Sequence, residues 1–241
     1  MELNESELKN LINNGYLVVR QFLSSEDINK YNNLYTTAKS YEPGEFVFEK
    51  NKAEALLGLP YFSLHDKINA LVDLINKHTN FNLNYCRPTA AFFDTSITSL
   101  MWHQDDDTHN YRVKNYRSVN FWMPIFKPDP AKSGLCIIPP PVLRKKDQLA
   151  HDNVIGRGDI AFVVKDNETT VISGVTHEKI CTFDFDIEPL GFSPVLFAGD
   201  LLLFRGDVPH RTQDHDTKRV AIGIRCSNNG FNLESNEGSG L

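Results

Sequence analysis

In GDLLLFRGDVPHRTQDHDTKRVAIGIR, residues 199–225, two apolar runs enclose a polar, histidine-bearing turn. Leu201–Phe204 has the length of a buried strand and follows a Gly-Asp turn. After the polar DHDT loop the chain alternates: Val220, Ile222 and Ile224 share one face, and Arg219, Ala221, Gly223 and Arg225 share the other. A period of two is a strand period, and no helical pattern separates the two runs. The second face carries an arginine at each end and small residues between, so it is roomy and cationic.

The same character extends backwards. From about residue 81 short β-rich runs dominate, at 83–86, 89–93, 118–126, 135–138, 160–164, 169–173, 179–187, 194–197, 201–205 and 219–226. Turn residues such as KPDPAKSG at 127–134 and KDNET at 165–169 separate them. Before residue 81 the pattern is helical. Leu8, Leu11 and Ile12 predict a helix over 5–13, closed by Asn-Asn-Gly. YLVVRQF at 16–22 is strand-like, and a serine cap followed by acids opens a second helix in SSEDINKYNNLYTTAKS. Further helices are expected at Leu56–Leu59 and Ile68–His78. Helices first, then many strands without intervening helices, predicts a mainly β fold, a sandwich or barrel with helices packed on one sheet.

Composition narrows the function. The 241 residues are 41% hydrophobic and 23% charged, ordinary for a globular chain with a real core. A net charge of -6 argues against a nucleic-acid partner, which needs a basic face. Cys86, Cys136, Cys181 and Cys226 are scattered and form no CxxC pair, which points to free thiols in a reducing compartment. The N-terminus lacks a basic, apolar leader, and no apolar run approaches the ~20 residues of a membrane span. The expectation is a cytoplasmic protein with no membrane partner.

SLMWHQDDDTHNYR, residues 99–112, sets three acids beside apolar Leu100, Met101 and Trp102. Such a run is ordinarily a solvated loop. In a strand, however, His103 and Asp105 point to one side and Gln104 to the other. Two histidines and one carboxylate on one face are the ligand set of non-haem iron oxygenases, and this H-x-D supplies two of the three. Of the other histidines, His65 and His78 lie in the helical region, His109 on the loop past the cluster, and His151 and His177 in charged or turn-like surroundings. His215 sits in the polar DHDT loop, which leaves His210, after a strand and a short turn, as the third ligand. Either Arg219 or Arg225 then suits an acidic cosubstrate, because a guanidinium orients a carboxylate through two parallel hydrogen bonds.

The chain resembles the phytanoyl-CoA dioxygenase family of Fe(II)/2-oxoglutarate-dependent oxygenases. The likeness lies in NGYLVVRQFLSSEDINKY at 14–31, WHQD at 102–105, VNFWMPIFKPDPAKSGLCIIPP at 119–140 and FSPVLFAGDLLLFRGDVPHRT at 192–212, in the family's order. The resemblance implies a double-stranded β-helix, a cupin-like jelly-roll barrel, with one oxygenase domain over 1–230 and a flexible tail at 231–241. Within it, helices at 1–80 buttress a core at 81–227; the stretch 142–193, with its own strands, is expected as an insert that forms a lid or extra hairpin. By the same resemblance His103, Asp105 and His210 bind Fe(II) and Arg219 holds the far carboxylate of 2-oxoglutarate, with Arg225 as the alternative. Thr212 adds a hydroxyl contact, and Asn120 and Trp122 line the pocket. The implied reaction consumes O2 and 2-oxoglutarate, releases succinate and CO2, and hydroxylates an unactivated C–H bond. Asp105 separates the chain from related halogenases, which carry a small residue there.

Three features depart from the family. PPPVLRKK follows the Ile-Pro where the family shows Gly-Ser-His, the stretch 142–193 is long and poorly matched, and Arg219 lies somewhat closer to His210 than the family places its arginine. The acidic balance favours a small-molecule substrate, an amino acid or natural-product intermediate, over a phosphate-rich thioester, and leaves the oligomeric state open. The basic clusters near the barrel are RVKNYR at 112–117 and LRKK at 143–146, where Arg117 and Tyr116, with Arg87, are candidate anchors. Asp106 and Asp107 are expected at the site's mouth or in solvent. The alternative is a catalytically silent or 2-oxoglutarate-independent metal-binding barrel, a sensor or a cupin-type enzyme.

Overall fold

The computed structural model describes residue 3 and residues 5–38, 59–86, 91–95, 100–105, 117–174 and 176–228. Its elements run α1 (Glu5–Asn13), β1 (Tyr16–Val19), α2 (Ser25–Ala38), α3 (Leu59–His78), β2 (Tyr85–Cys86), β3 (Ala91–Asp94), β4 (Ser118–Phe126) and β5 (Leu135–Ile137). Then follow α4 (Pro140–Lys146), α5 (Gln148–Val154), β6 (Ile160–Lys165), β7 (Glu168–Ser173), β8 (Lys179–Phe183), a 3-10 turn (Glu188–Leu190), β9 (Leu201–Arg205), β10 (His210–Thr212) and β11 (Val220–Ser227).

The strands form two antiparallel layers. The first is ordered β1-β9-β4-β11-β2, with β3 also paired to β11. In the second, β10 pairs with β5, and β6, β7 and β8 follow one another. The segment that carries His103 joins those two parts: His103 bridges Ala161 of β6 on one side and His210 of β10 on the other.

Three apolar clusters hold the layers together. Trp122, Leu202, Phe204 and Ala221 of the first layer meet Leu135 and Ile137 of the second. On the other face of the first layer, Phe121, Met123, Leu203 and Ile222 pack against Leu8 and Leu11 of α1 and Leu64, Ile68 and Leu71 of α3. Strand β4 is therefore covered on both faces, which explains why eight of its nine residues are buried and why its sequence reads as a continuous apolar run. Burying one such side chain is worth about 1.5–3 kcal/mol, so the helices are a stabilising half of this core. The third cluster seats α4 and α5, through Leu143, Ala150 and Val154, on Trp102, Ile160, Phe162 and Val171.

The structure corrects several expectations. Residues 194–197 form no strand: the Leu196 amide pairs with the Pro130 carbonyl, and the Phe197 amide and carbonyl are taken by Asp200 in a turn. Strand β8 stops at Phe183, short of 187, and of 83–86 only Tyr85 and Cys86 form a strand. The helix expected from Ile68 begins at Leu59, and Leu56 lies outside the described residues, as does the tail at 231–241. Helices α4 and α5 were not anticipated, although proline at the first turn of α4 and Asp147 capping α5 (accepting from the Ala150 amide at 2.8 Å) are sequence signals for both. Finally, Cys86 and Cys226 form a disulfide across 140 residues, where all four cysteines were expected as thiols. The β2–β11 register sets the two directly opposite one another, a relation that spacing along the chain does not reveal. Among the described residues no helix is long and apolar enough to cross a membrane.

Candidate metal centre

His103 and His210 face each other as a hydrogen-bonded antiparallel pair. Each donates its amide to the other's carbonyl at 2.9 Å. This pairing sets the two imidazoles on the same side of the sheet, with ring centroids 4.2 Å apart. Asp105, two residues past His103, points to the same side, and one ligand atom from each of the three residues lies within 4.8 Å of the others. Among the described residues no other group of three histidine, cysteine or carboxylate side chains converges in this way.

The tautomers suit metal binding. His103 Nδ1 lies 2.6 Å from the Met101 carbonyl and His210 Nδ1 lies 3.0 Å from the Val208 carbonyl. A carbonyl only accepts, so each Nδ1 carries the proton and each Nε2 presents a lone pair to the centre. Burial, helped by the neighbouring His103, holds His210 down to about 4 against the pull of Asp105, which keeps the ring neutral. Burial alone would raise the Asp105 carboxyl, but Arg225, His210, His103 and a hydrogen bond from Asn120 together hold it below its ordinary value. Two imidazoles and one carboxylate on one face fit a first-row divalent ion such as Fe(II), with open positions for other ligands.

Asp105 is held by two partners. Arg225 Nη2 lies 2.5 Å from Oδ1 and Asn120 Nδ2 donates to Oδ2 at 2.5 Å. Arg225 Nε also donates to Asn120 Oδ1 at 3.0 Å, a link that the directly opposed Asn120–Arg225 register of β4 and β11 makes possible. Arg225 and Asn120 thus hold the Asp105 carboxylate between them.

Arg219 occupies a different end of the same cavity. That cavity, about 120 Å³, is lined by the triad and by Phe93, Asn120, Trp122, Thr212 and Arg219 among others. Arg219 is only 2% exposed. Its Nε donates to the Ser133 carbonyl at 2.8 Å and its Nη1 to the Phe93 carbonyl at 3.0 Å, with the guanidinium 5.2 Å above the Trp122 ring. No carboxylate among the described residues forms an ion pair with it. Burial lowers its pKa to about 10, with Asp94 and Asp214 opposing. A buried cation without a paired anion is costly, and an anionic ligand reverses that cost. The Thr212 hydroxyl, on the cavity wall, accepts from the Leu100 amide at 3.1 Å.

The remaining histidines stand apart. His65 and His78 are on α3, and His215 is exposed with Nδ1 2.9 Å from the Thr95 carbonyl. His151, expected in charged surroundings, is buried on α5 between Arg144 and Asp152. Arg87, Asp106, Asp107, His109 and Tyr116 lie outside the described residues, and Arg117 is an exposed residue before β4. The outer support of the centre was not anticipated. Gln104, facing away from the triad, donates to the Val154 and Asp207 carbonyls at 3.1 and 2.5 Å and accepts from the Gly158 amide at 2.8 Å. Its partners at 154 and 158 lie in the insert at 142–193. A buried glutamine beside a ligand was the available signal.

No family model matches the sequence, and no curated protein matches it. Solved structures do. EvdO2 from Micromonospora carbonacea var. aurantiaca, complexed with 2-oxoglutarate, is 12% identical with a TM-score of 0.59, over 94% of this chain and 91% of that one. HygX from Streptomyces hygroscopicus, with nickel and 2-oxoglutarate bound, is 13% identical with a TM-score of 0.53, over 93% and 87%. A Pseudomonas putida prolyl-4-hydroxylase is 12% identical with a TM-score of 0.53, over 95% and 96%. At such identities the likeness establishes a shared fold along nearly the whole chain.

Proposed function

We propose that this protein is an Fe(II)- and 2-oxoglutarate-dependent dioxygenase that hydroxylates an unactivated C–H bond of a small molecule. The observation that carries the reading is the pairing, across one cavity, of the His103–Asp105–His210 triad with a buried Arg219 that has no carboxylate partner among the described residues. The bound 2-oxoglutarate of EvdO2 and HygX supports it.

In this reading His103, Asp105 and His210 hold the iron, and Arg219 anchors the far carboxylate of the cosubstrate, with Thr212 beside it. When bound, iron and 2-oxoglutarate supply an oxidant by reacting with O2, releasing succinate and CO2. The protein's residues do the rest. Asn120 and Arg225 keep Asp105 ionised and oriented, Trp122 and Phe93 wall the cavity against water, and the Met101 and Val208 carbonyls hold both imidazoles in the metal-binding tautomer. Residues 1–230 act as one domain, with the helices bracing a jelly-roll core of the cupin type. An amino acid or natural-product intermediate is the favoured substrate class.

The test is succinate release from 2-oxoglutarate by Fe(II)-loaded protein, with and without candidate substrates. The reading predicts turnover that requires iron and O2, is lost in His210→Ala and Arg219→Ala, and is enhanced by the true substrate. Metal binding without 2-oxoglutarate binding or turnover would favour a silent or cupin-type metal barrel instead.

A further inference from the structure

We infer that Glu188, in the insert, is a positioning residue for the metal centre, clasping together the two segments that carry His103 and His210. The inference rests on reading those histidines as metal ligands. Because His103 and His210 are opposed in an antiparallel pair, Trp102 and Arg211 are opposed as well, and their side chains leave the other face of the sheet. There the Arg211 guanidinium stacks 5.2 Å from the Trp102 ring. Glu188 closes this pair with one oxygen for each segment. Oε1 accepts from Trp102 Nε1 at 2.8 Å, and Oε2 accepts from Arg211 Nη2 at 2.8 Å and Nε at 3.2 Å.

The seat of Glu188 is built for this contact. Its own amide donates to Asp186 Oδ1 at 2.8 Å, opening the 3-10 turn. Gly191 closes the turn so tightly against the sheet that a Cβ there would lie 2.6 Å from Cys136 Sγ and 2.8 Å from Trp102 Cη2. The next residue, Phe192, pairs with Ile137 through both backbone bonds, at 2.9 and 3.0 Å. Trp102 is 1% exposed, so its N–H needs an internal acceptor, and Glu188 provides it.

The backbone alone specifies this register weakly. Strand β10 has three residues, and His103 belongs to no strand, only to isolated bridges. A slip of one residue would turn either histidine away from the metal. The insert therefore braces this register from two sides. Its strand β6 pairs with the His103 segment, and its Glu188 locks that segment to β10.

Co(II) titration of metal-free protein tests this by calorimetry, by the visible ligand-field absorption of the bound ion, and against thermal midpoints. Glu188→Gln keeps an acceptor for Trp102 but loses the ion pair to Arg211; Glu188→Ala loses both. The expected result is a graded loss of Co(II) affinity, ten- to hundredfold, with an altered absorption spectrum. Leu71→Ala, in the α3 core, should lower the thermal midpoint with unchanged Co(II) affinity. If Glu188→Ala does not fold, Glu188→Gln and Trp102→Phe each carry the test of one arm. Glu188→Gln with wild-type affinity and spectrum, or Leu71→Ala with an equal loss of affinity, would overturn the clasp. Wild-type protein that does not bind Co(II), or His210→Ala that binds it equally well, would instead overturn the metal reading beneath it.

Discussion

The Arg225 guanidinium lies 2.5 Å from Asp105, one of the three candidate metal ligands, and the partner directly across the strand pair from Arg225, Asn120, holds the second oxygen of the same carboxylate. With both oxygens bound, the carboxylate cannot turn, and Oδ1 is left 3.7 Å from His210 Nε2. Arg225, a candidate for the cosubstrate carboxylate, is engaged by the protein's own carboxylate.

That arrangement predicts a metal phenotype. Asn120→Ala and Arg225→Met each free one oxygen of Asp105, and each should weaken divalent-metal affinity by roughly 10- to 100-fold. Calorimetric titration with Co(II) checks this. Unchanged metal affinity in both variants would mean that the triad orients itself without them.

Gly223 predicts a pocket phenotype. It lies on β11 between the two arginines, and a Cβ there would sit 2.5 Å from Phe93 Cε2. Gly223→Ala must push the ring, which lines the cavity, out of its place. Overpacking of this kind costs about 1–3 kcal/mol of stability. The variant should also bind 2-oxoglutarate at least about tenfold more weakly, an outcome worth about 1.4 kcal/mol.

Asp27 predicts a pH dependence of stability. Its carboxylate accepts from the Ser24 amide at 3.0 Å and the Ser24 hydroxyl at 2.7 Å, while the Ser24 oxygen accepts from the Asp27 amide at 3.1 Å, a capping box on α2. Lys67 of α3 completes the site at 2.5 Å. Burial alone would raise the carboxyl, but Lys67 and Ser24 hold it below its ordinary 3.8. The folded value is depressed, so this contribution is fully present above about pH 4 and is lost as pH falls through the lower folded value. Asp27→Asn should cost about 1 kcal/mol at neutral pH and flatten the acid limb of the stability curve. Urea denaturation between pH 2 and 7 measures both.

The cysteines predict a thiol count. Cys136 and Cys181 are free, and Cys86 and Cys226 are joined. Denatured, unreduced protein should therefore titrate two thiols. A bridge across 140 residues constrains the unfolded chain by about 5 kcal/mol in the loop-entropy picture, so reduction should markedly lower the denaturation midpoint. Four titratable thiols would contradict the pairing.

Much of the centre was legible because it follows from strand periodicity. His103 and Asp105 share a face by spacing alone, and the alternation at 219–225 put Arg219 and Gly223 on the cavity side. The engagement of Arg225 by Asp105 and Asn120 was not legible. It depends on Asn120 lying opposite Arg225 in the β4–β11 register, and register between strands about a hundred residues apart leaves no local mark. The insert was opaque for the same reason. Its contributions, the pairing of Ala161 with His103 and the three hydrogen bonds of Glu188, are made through backbone and through one carboxylate among many. Helix α4 hid behind PPPVLRKK, which reads as an extended proline run until proline is recognised at a helix's first turn.

The most direct measurement of the central claim is calorimetric titration of 2-oxoglutarate into anaerobic, Fe(II)-loaded protein, alongside Arg219→Ala and Arg225→Ala. The account predicts saturable binding by the wild type that is lost in Arg219→Ala. In Arg225→Ala any weakening should be traceable to reduced metal occupancy and restored by excess Fe(II). No binding by the metal-loaded wild type, or undiminished binding by Arg219→Ala, would contradict it.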